Sequence, residues 1–349
     1  MSEAVLYRKY RPAHFKDVLG QDHIVKTLEG AIKLGNIAHA YLFAGSRGTG
    51  KTTLARIVAR EIGASSNDIY EIDAASNNGV DEMRLLNEAV STLPFNSTHK
   101  VYIFDEVHMF SKAAFNALLK TLEEPPKHVV FILATTEVDK LPETVVSRCQ
   151  VFSLKRPMRE ILKQSIVQIA KKEGFSLETG VSELVSLLGD GSFRDTQGIL
   201  QKVMSASKDK KVSLAEVEMV TGAPKGSLVN NFIEALGERK LDPALAALHT
   251  ALSANVDAKV FLQLALQKLR FVLLLKYAKE MKKEIFEEVS AEDFSFLKKL
   301  AEAGDSSISS ALLSELLGSY DAVGRSYIPA LPIELALVRI LGQDSGKQK

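Results

Sequence analysis

A lysine and a threonine close a glycine-rich loop early in this chain of 349 residues. The run Gly45, Ser46, Arg47, Gly48, Thr49, Gly50, Lys51 and Thr52 matches the pattern G-x-x-x-x-G-K-[ST] at every fixed position. In such a loop, backbone N–H groups point at phosphate oxygens, and the start of the following helix adds partial positive charge. We expect Lys51 to reach the β- and γ-phosphates of a nucleotide and the Thr52 hydroxyl to ligate Mg²⁺.

Two adjacent carboxylates follow an apolar run about fifty residues later. Residues 101–105 read as a buried parallel strand, and Asp105 and Glu106 stand at its carboxyl end. Functional groups of open α/β sheets gather at that end of the strands. We therefore expect Asp105 to hold the Mg²⁺ shell and Glu106 to polarise the attacking water. The alternative is that the pair only begins a polar turn.

These residues require a sheet covered by helices to position them. Apolar runs predict strands at 40–44, 69–73, 101–105, 129–134 and 151–154. Helical periodicity predicts helices at 24–34, 52–62, 80–90 and 112–123. Strands that alternate with helices indicate an α/β domain with a parallel five-stranded sheet and helices on both faces.

The rest of the chain reads as helical, and we expect no strand after Pro157. Helices are predicted at 158–172, 178–188, 193–205, 214–220, 228–236, 243–253, 259–281, 291–303, 309–323 and 332–341. The breaker cluster 221–226 predicts a hinge. The expected domains are a nucleotide-binding domain at 1–155, a helical lid at 156–222, a helical collar at 223–342 and a disordered tail at 343–349.

Composition is that of a soluble globular protein, with 46% hydrophobic residues, 25% charged residues and a formal net charge of +1. No apolar run approaches the ~20 uncharged residues of a membrane span. The amino terminus does not resemble a signal peptide, so we expect a cytoplasmic protein. A single cysteine, Cys149, excludes intramolecular disulfides and any multi-cysteine metal site within the chain. Any nucleic-acid contact must come from a local surface.

A series of segments, in order, carries a family resemblance. It comprises residues 7–12, 15–21, 71–76, 105–109, 115–126, 133–136, 147–149 and 191–195. The chain resembles the AAA+ clamp-loader ATPases and, more narrowly, the gamma/tau family of bacterial DNA polymerase III subunits. The motifs span about residues 7 to 195, and the helical character of the rest is similar to the collar domain of that family.

The resemblance implies further nucleotide contacts. Its adenine-side segment corresponds to Tyr10, Arg11, Pro12 and Val18, and Thr53 extends the phosphate loop. Thr136 would be sensor 1, bound to the attacking water or the γ-phosphate. The alternative is a capping or turn hydroxyl.

Two arginines acquire roles by the same resemblance. Arg148 would reach from one subunit to the γ-phosphate held by its neighbour, an effect worth ~10³–10⁵ in rate in well-studied cases. The alternative is a surface ion pair with Glu143. Arg194 would be sensor 2, contacting the γ-phosphate in its own subunit, and the alternative is an ion pair with Asp195.

The chain departs from the family in two respects. Residues 62–69 bridge the position of a four-cysteine zinc module without any cysteine, so we expect no zinc. The long form of the family continues beyond the collar, so this chain is similar to the short form or to a truncated version.

Four further residues have weaker signals. Arg84 and Lys112, near the starts of two helices, are candidates for sequence-independent DNA phosphate contact, and the alternative is ordinary surface charge. Cys149 is expected to be a buried apolar side chain, and His108 a structural histidine.

The resemblance implies an ATP- and Mg²⁺-dependent subunit that acts in a hetero-oligomeric ring with delta and delta-prime subunits. The ring would load the beta sliding clamp onto primer-template DNA and would not involve a membrane. The family is part of a polymerase holoenzyme, but the sequence shows no polymerase active site. The alternatives are an AAA+ helicase or branch-migration motor, and a scaffold subunit of the replisome that does not hydrolyse ATP.

Overall fold

A parallel sheet of five strands organises the first part of the chain in a computed structural model, which describes residues 5–303 and 306–342. The strands are β1 (Ala40–Ala44), β2 (Ile69–Asp73), β3 (Lys100–Asp105), β4 (Val129–Thr135) and β5 (Gln150–Ser153). Their order across the sheet is β2-β3-β4-β1-β5, and all neighbouring strands pair in parallel. Ala44 pairs with Thr135, so the end of β1 lies beside the end of β4. The predicted parallel five-stranded sheet is confirmed.

Helices cover both faces of this sheet, as predicted. They are α1 (Leu6–Lys9), α2 (Asp22–Lys33), α3 (Lys51–Glu61), α4 (Val80–Val90), α5 (Lys112–Glu123) and α6 (Glu143–Val146). Strand side chains alternate between two apolar clusters because successive residues of a strand point to opposite faces. Tyr41 and Phe43 pack with α2 and α3 on one face, whereas Leu42 packs with α4 and α5 on the other. This two-sided burial explains why the inner strands β1, β3 and β4 are apolar over most of their length.

The following helices are α7 (Arg159–Lys172), α8 (Val181–Leu188), α9 (Phe193–Ala206) and α10 (Leu214–Thr221). Between them lie two short strands, β6 (Ser176–Leu177) and β7 (Lys211–Val212), which pair in parallel. The prediction of no strand after Pro157 was therefore wrong. Strands of two residues are too short to produce a visible alternation, although Val212 is fully buried.

The remaining helices are α11 (Gly226–Gly237), α12 (Leu241–Ser253), α13 (Ala258–Tyr277), α14 (Lys282–Glu288), α15 (Ala291–Glu302), α16 (Ser310–Val323) and α17 (Leu331–Leu341). The long helix α13 is central: Phe261, Leu262 and Leu269 are fully buried, and Phe261 meets Phe232 of α11 edge to face at 5.2 Å. This confirms an apolar helical bundle in the last third of the described residues.

The prediction of one helix over 259–281 was wrong at its carboxyl end. α13 ends at Tyr277, Ala278 adopts φ −129° and ψ 71°, and a short 3₁₀ helix (Lys279–Met281) leads into α14. No glycine or proline marks this break. The bend returns the chain to the bundle, where Ile285 of α14 is almost fully buried, so tertiary packing overrode the local helical pattern.

The described residues divide into two compact units. The first holds the chain up to Ser165 together with Gly189–Gly198, and the second holds Ile166–Leu188 and the chain from Ile199 onward. The division into domains at 155 and 222 stays a prediction, and the predicted tail at 343–349 lies outside the described residues. None of the helices in the described ranges is long and apolar enough to cross a membrane.

Candidate functional site

The glycine-rich loop joins the end of β1 to the start of α3. Its glycines adopt positive φ angles of +151° at Gly45, +74° at Gly48 and +105° at Gly50. The N–H of Gly45 donates to Thr135 O at 3.2 Å, which ties the loop to β4. Residues with side chains rarely adopt these angles, so the glycines produce the curl that turns backbone N–H groups inward.

The other loop residues support this curl. Thr49 is buried and donates its hydroxyl to Ser46 O at 2.9 Å. Arg47 is exposed, and Thr53 is half-buried in the first turn of α3. The predicted nucleotide contacts of these side chains stay predictions.

Lys51 is buried inside the loop. Its ammonium group donates to Gly45 O at 2.9 Å and to Ser46 O at 3.1 Å. Burial lowers the pKa of Lys51 from its ordinary value, while the charges of Glu106 and Asp105 act in the opposite direction. The cation therefore lies in the field of both predicted catalytic carboxylates.

Thr52 and Asp105 are joined directly. The Thr52 hydroxyl donates to Asp105 Oδ2 at 2.8 Å, which connects the first turn of α3 to the carboxyl end of β3. The pair places a hydroxyl and a carboxylate together, and oxygen ligands of this kind suit Mg²⁺. The residues thus fit the ion that the sequence predicts.

Glu106 follows Asp105 in a left-handed backbone conformation, with φ 49° and ψ 46°. Its Oε2 accepts from the N–H of Thr136 at 3.3 Å and from the Thr136 hydroxyl at 3.1 Å. The structure therefore brings the predicted sensor 1 threonine onto the predicted water-polarising carboxylate. An irregular backbone of this kind concentrates at functional sites.

His108 lies between two carboxylates. Its Nδ1 is 3.0 Å from Thr135 Oγ1 and 3.6 Å from Glu106 Oε2, and its Nε2 is 3.3 Å from Glu137 Oε1. The sequence predicted only a structural histidine here. No local pattern shows this cluster, because His108 follows β3 whereas Thr135 and Glu137 lie at and just beyond the end of β4.

The start of α9 touches the phosphate loop. The N–H of Phe193 donates to Gly48 O at 3.0 Å, and a Cβ on Gly48 would overlap the side chain of Ser192. The guanidinium of Arg194 lies over the Tyr7 ring at 5.7 Å. The sequence analysis did not predict the contact between Ser192 and the loop. Gly48 was a possible signal, because the motif accepts any residue there and glycine suggests a close neighbour.

Arg194 is close enough to the site that its charge contributes to the lowered pKa of both Lys51 and Arg11. The neighbouring Asp195 instead uses its backbone N–H to contact the Ser192 hydroxyl at 3.2 Å. The alternative role of Arg194 was an ion pair with Asp195. Among the described residues, its guanidinium instead lies over the Tyr7 ring.

The predicted adenine-side segment lies in the same compact unit. Burial, followed by the charge of Arg56, lowers the pKa of Arg11 from its ordinary value. Tyr10 and Pro12 are partly buried, and Val18 packs against the apolar cluster on the α3 side of the sheet.

The segment after Val18 is anchored by a buried glutamine. The side chain of Gln21 donates to Lys155 O at 2.7 Å and accepts from the Lys155 N–H at 3.2 Å. The beginning of the chain is thereby fastened to the residues that leave β5.

Arg148 projects from the turn after α6. It donates to Thr144 O at 2.7 Å and to Glu123 Oε1, at the end of α5, at 2.6 Å. The alternative pairing with Glu143 was wrong, because the guanidinium reaches the end of a different helix. Among the described residues, neither partner of Arg148 belongs to the phosphate loop. A role toward a neighbouring subunit stays a prediction.

The DNA candidates Arg84 and Lys112 are exposed on α4 and α5, which pack against each other. Their role stays a prediction. Cys149 is partly buried against the apolar cluster on the α5 side, and burial raises its thiol pKa to about 12. Within residues 5–303 and 306–342 no group of three or more His, Cys, Asp or Glu side chains could hold a metal ion. The absence of zinc stays a prediction.

Comparisons with known proteins agree with this geometry. Three family models match: magnesium chelatase subunit ChlI over residues 14–103, the DNA polymerase III delta subunit over 63–158, and domain III of DNA polymerase III subunits gamma and tau over 212–349.

Curated relatives cover most of the chain. DNA polymerase III subunit tau of Bacillus subtilis is 36% identical over 97% of this chain and 63% of its own length. The tau subunit of Escherichia coli is 37% identical over 75% of this chain and 44% of its own length. The chain thus spans less than two thirds of these relatives.

Solved structures show the fold. The RuvB Holliday junction branch migration motor of Thermotoga maritima matches with a TM-score of 0.53 at 21% identity, covering 69% of this chain and 85% of that one. A variant of the same motor matches with a TM-score of 0.52 at 18% identity, covering 84% and 90%. The described residues thus form an AAA+ domain followed by helical domains, and by its sequence relatives the chain belongs to the gamma/tau family of DNA polymerase III subunits.

Proposed function

We propose that this chain is the ATP-hydrolysing subunit of a clamp loader. The carrying observation is the hydrogen bond between Thr52 and Asp105, with Glu106 bound by Thr136 beside it. This bond joins the phosphate loop to the acidic strand, so the groups that bind a nucleotide and those that cleave it converge at one end of the sheet. This fold serves several functions, and we favour clamp loading because the sequence relatives are gamma/tau subunits.

Nucleotide binding depends on the phosphate loop and α3. Loop N–H groups and the Lys51 ammonium would hold the phosphates, and the segment from Tyr10 to Val18 would cover the adenine. Thr52 and Asp105 would hold Mg²⁺. When bound, this ion supplies positive charge against the negative charge that develops on the phosphates.

Hydrolysis depends on the residues that follow β3 and β4. Glu106 would orient and polarise the attacking water, and Thr136 would hold the Glu106 carboxylate and sense the γ-phosphate. Arg194 would add positive charge within the subunit, and Arg148 would add it in the site of a neighbour. A single subunit would therefore turn over ATP slowly.

The proposed partners are delta and delta-prime subunits, the beta sliding clamp and primer-template DNA, in a cytoplasmic hetero-oligomeric ring. The proposed division into a nucleotide-binding domain (1–155), a lid (156–222) and a collar (223–342) follows the family arrangement. Arg84 and Lys112 would contact DNA phosphates without reading sequence.

The test is steady-state ATP hydrolysis by the full chain, alone and mixed with delta and delta-prime, with and without clamp and primed DNA. The wild type should be stimulated by clamp and primed DNA together. Arg148→Ala should keep its ATP affinity and lose that stimulation. Arg339→Ala, which removes an exposed arginine paired with Glu315 of the helical bundle, is a matched control.

A branch-migration motor is the second candidate, because solved structures of RuvB share the fold. It would be favoured if duplex DNA alone stimulated hydrolysis and the clamp did not. A scaffold without turnover would be favoured if no mixture hydrolysed ATP. The complete set of Lys51, Thr52, Asp105 and Glu106 argues against a scaffold.

A further inference from the structure

His108 joins the two turns that carry the proposed catalytic carboxylate and the proposed sensor. We propose that His108 is a positioning residue for ATP hydrolysis, which fixes the Glu106 carboxylate relative to Thr136. The inference rests on the proposed ATPase function. It assigns no direct contact between His108 and the nucleotide.

The two turns follow neighbouring strands. Glu106 opens a 3₁₀ turn (Val107–Met109) after β3, which the N–H of Met109 closes by donating to Glu106 O at 2.9 Å. The turn after β4 contains Thr136 and Glu137. The strands fix where each turn begins, but the orientation of the turns depends on the side chains between them.

The two ring nitrogens of His108 reach the end of β4 and the turn that follows it. His108 Nε2 lies 3.3 Å from Glu137 Oε1, so the ring packs against this carboxylate. His108 Nδ1 shares a hydrogen bond with the Thr135 hydroxyl at 3.0 Å, whose direction is set by the tautomer of the ring. Thr135 Oγ1 in turn accepts from the Glu137 N–H at 3.0 Å. These three contacts join His108, Thr135 and Glu137 in one cluster.

The ring also limits the movement of Glu106. His108 Nδ1 lies 3.6 Å from Glu106 Oε2, the oxygen that the N–H and hydroxyl of Thr136 bind. The contacts described for this carboxylate fall on Oε2, so a single oxygen of Glu106 meets both Thr136 and the His108 ring. The imidazole side chain is only 8% exposed, so its position is set by packing as well as by hydrogen bonds.

Removing the ring should affect turnover more than binding. Lys51 and Thr52, which hold the nucleotide, make their described contacts with loop carbonyls and Asp105 rather than with His108. Glu137 would keep its ion pair with Lys140 at 2.8 Å, so the second turn would persist without its contacts to the His108 ring. A misplaced carboxylate lowers the rate of the chemical step.

The experiment compares His108→Ala, His108→Asn and His108→Gln in the full chain, mixed with delta, delta-prime, clamp and primed DNA. Three quantities are measured: the turnover number, the ATP affinity and the melting temperature. His39→Ala, at an exposed histidine before β1, is the matched control. We expect His108→Ala to lower turnover by about 10- to 100-fold. ATP affinity should stay within about twofold.

The amide variants separate positioning from packing. Asn can place a polar nitrogen near Nδ1, and Gln near Nε2, so at least one of them should restore part of the turnover. The inference is overturned if His108→Ala turns over ATP like the wild type. It is also overturned if turnover, affinity and melting temperature fall together and neither amide rescues. Absence of wild-type turnover would instead refute the proposed ATPase function itself.

Discussion

A Cβ atom on Gly48 would lie 1.9 Å from Oγ of Ser192 and 2.8 Å from its Cβ. Non-bonded atoms cannot approach this closely, so the loop and the start of α9 fit together only because residue 48 has no side chain. The backbone bond from Phe193 to Gly48 O depends on the same close approach. Arg194 follows in the next position, so a glycine in the phosphate loop sets where the proposed sensor begins.

Gly48→Ala should therefore weaken ATP binding as well as folding. Gly35→Ala is a matched control, because Gly35 has the same φ of +74° and nothing within 4 Å of its Cβ position. The backbone strain shared by the two variants costs about 1–2 kcal/mol. Urea unfolding and ATP titration of both variants give the comparison, and only Gly48→Ala should lose ATP affinity.

A second substitution tests the contact itself. Adding Ser192→Gly to Gly48→Ala removes the overlapping side chain and should recover part of the lost ATP affinity. The contact would have no role if Gly48→Ala and Gly35→Ala lost the same ATP affinity and the double variant recovered none of it.

The bond between Thr52 and Asp105 predicts how affinity depends on magnesium. Thr52→Val keeps the shape of the side chain and removes the hydroxyl, so ATP affinity in Mg²⁺ should fall by about 10- to 100-fold. Affinity measured in EDTA should change little. Thr27→Val is the control, since its hydroxyl contacts only His23 O on an exposed part of α2. A loss of equal size with and without Mg²⁺ would contradict the assignment.

Asp68 should make folding stability depend on acid. Burial opposes its ionisation, but hydrogen bonds from the Ser97 hydroxyl, the N–H groups of Asn96 and Phe95, and the Ser65 hydroxyl outweigh burial and hold its pKa well below the ordinary value. The folded state therefore binds the proton less readily than the unfolded chain does. The stabilisation is complete at neutral pH and is lost as pH falls below the ordinary value of 3.8.

Asp68→Asn should accordingly lower the urea midpoint at pH 7, and the difference from the wild type should narrow only below about pH 4. Asp139→Asn, at an exposed aspartate after β4, should leave the midpoint unchanged. A difference that stays constant down to acid unfolding would show that the charge of Asp68 does not stabilise the fold.

The rate at which Cys149, the only cysteine of the sequence, is labelled can be used to follow unfolding. Burial raises the thiol pKa of Cys149 to about 12, so at pH 8 roughly one molecule in ten thousand carries the reactive thiolate. Labelling by a disulfide reagent should be slow in the native protein and rise about tenfold per pH unit. Urea should accelerate it sharply. Native labelling as fast as that of the unfolded chain would contradict this prediction.

The sequence predicted what depends on local pattern. The bounds of β1 and β2 and of α4 and α5 agree with the predictions, because buried strands and amphipathic helices have characteristic periods. The phosphate loop and Asp105 were found because residue type and spacing define them. Thr136 came from family resemblance, and the structure adds its contact with Glu106.

The misses involve residues that are distant in sequence. The cluster of His108, Thr135 and Glu137 joins the ends of two strands, and the overlap at Gly48 involves Ser192, far along the chain. The bend at Ala278 has no glycine or proline to announce it. In each case the deciding interaction exists only after the chain has folded.

Because Glu106 has a left-handed backbone, selection for thermal stability and selection for ATP hydrolysis should favour different residues at this position. Glycine at this position would relax the backbone by about 1–2 kcal/mol, a useful gain for a marginally stable protein. It would also remove the carboxylate proposed to act on water. A library screened only for survival of heating should therefore enrich glycine at 106, and the selected proteins should bind ATP but hardly hydrolyse it.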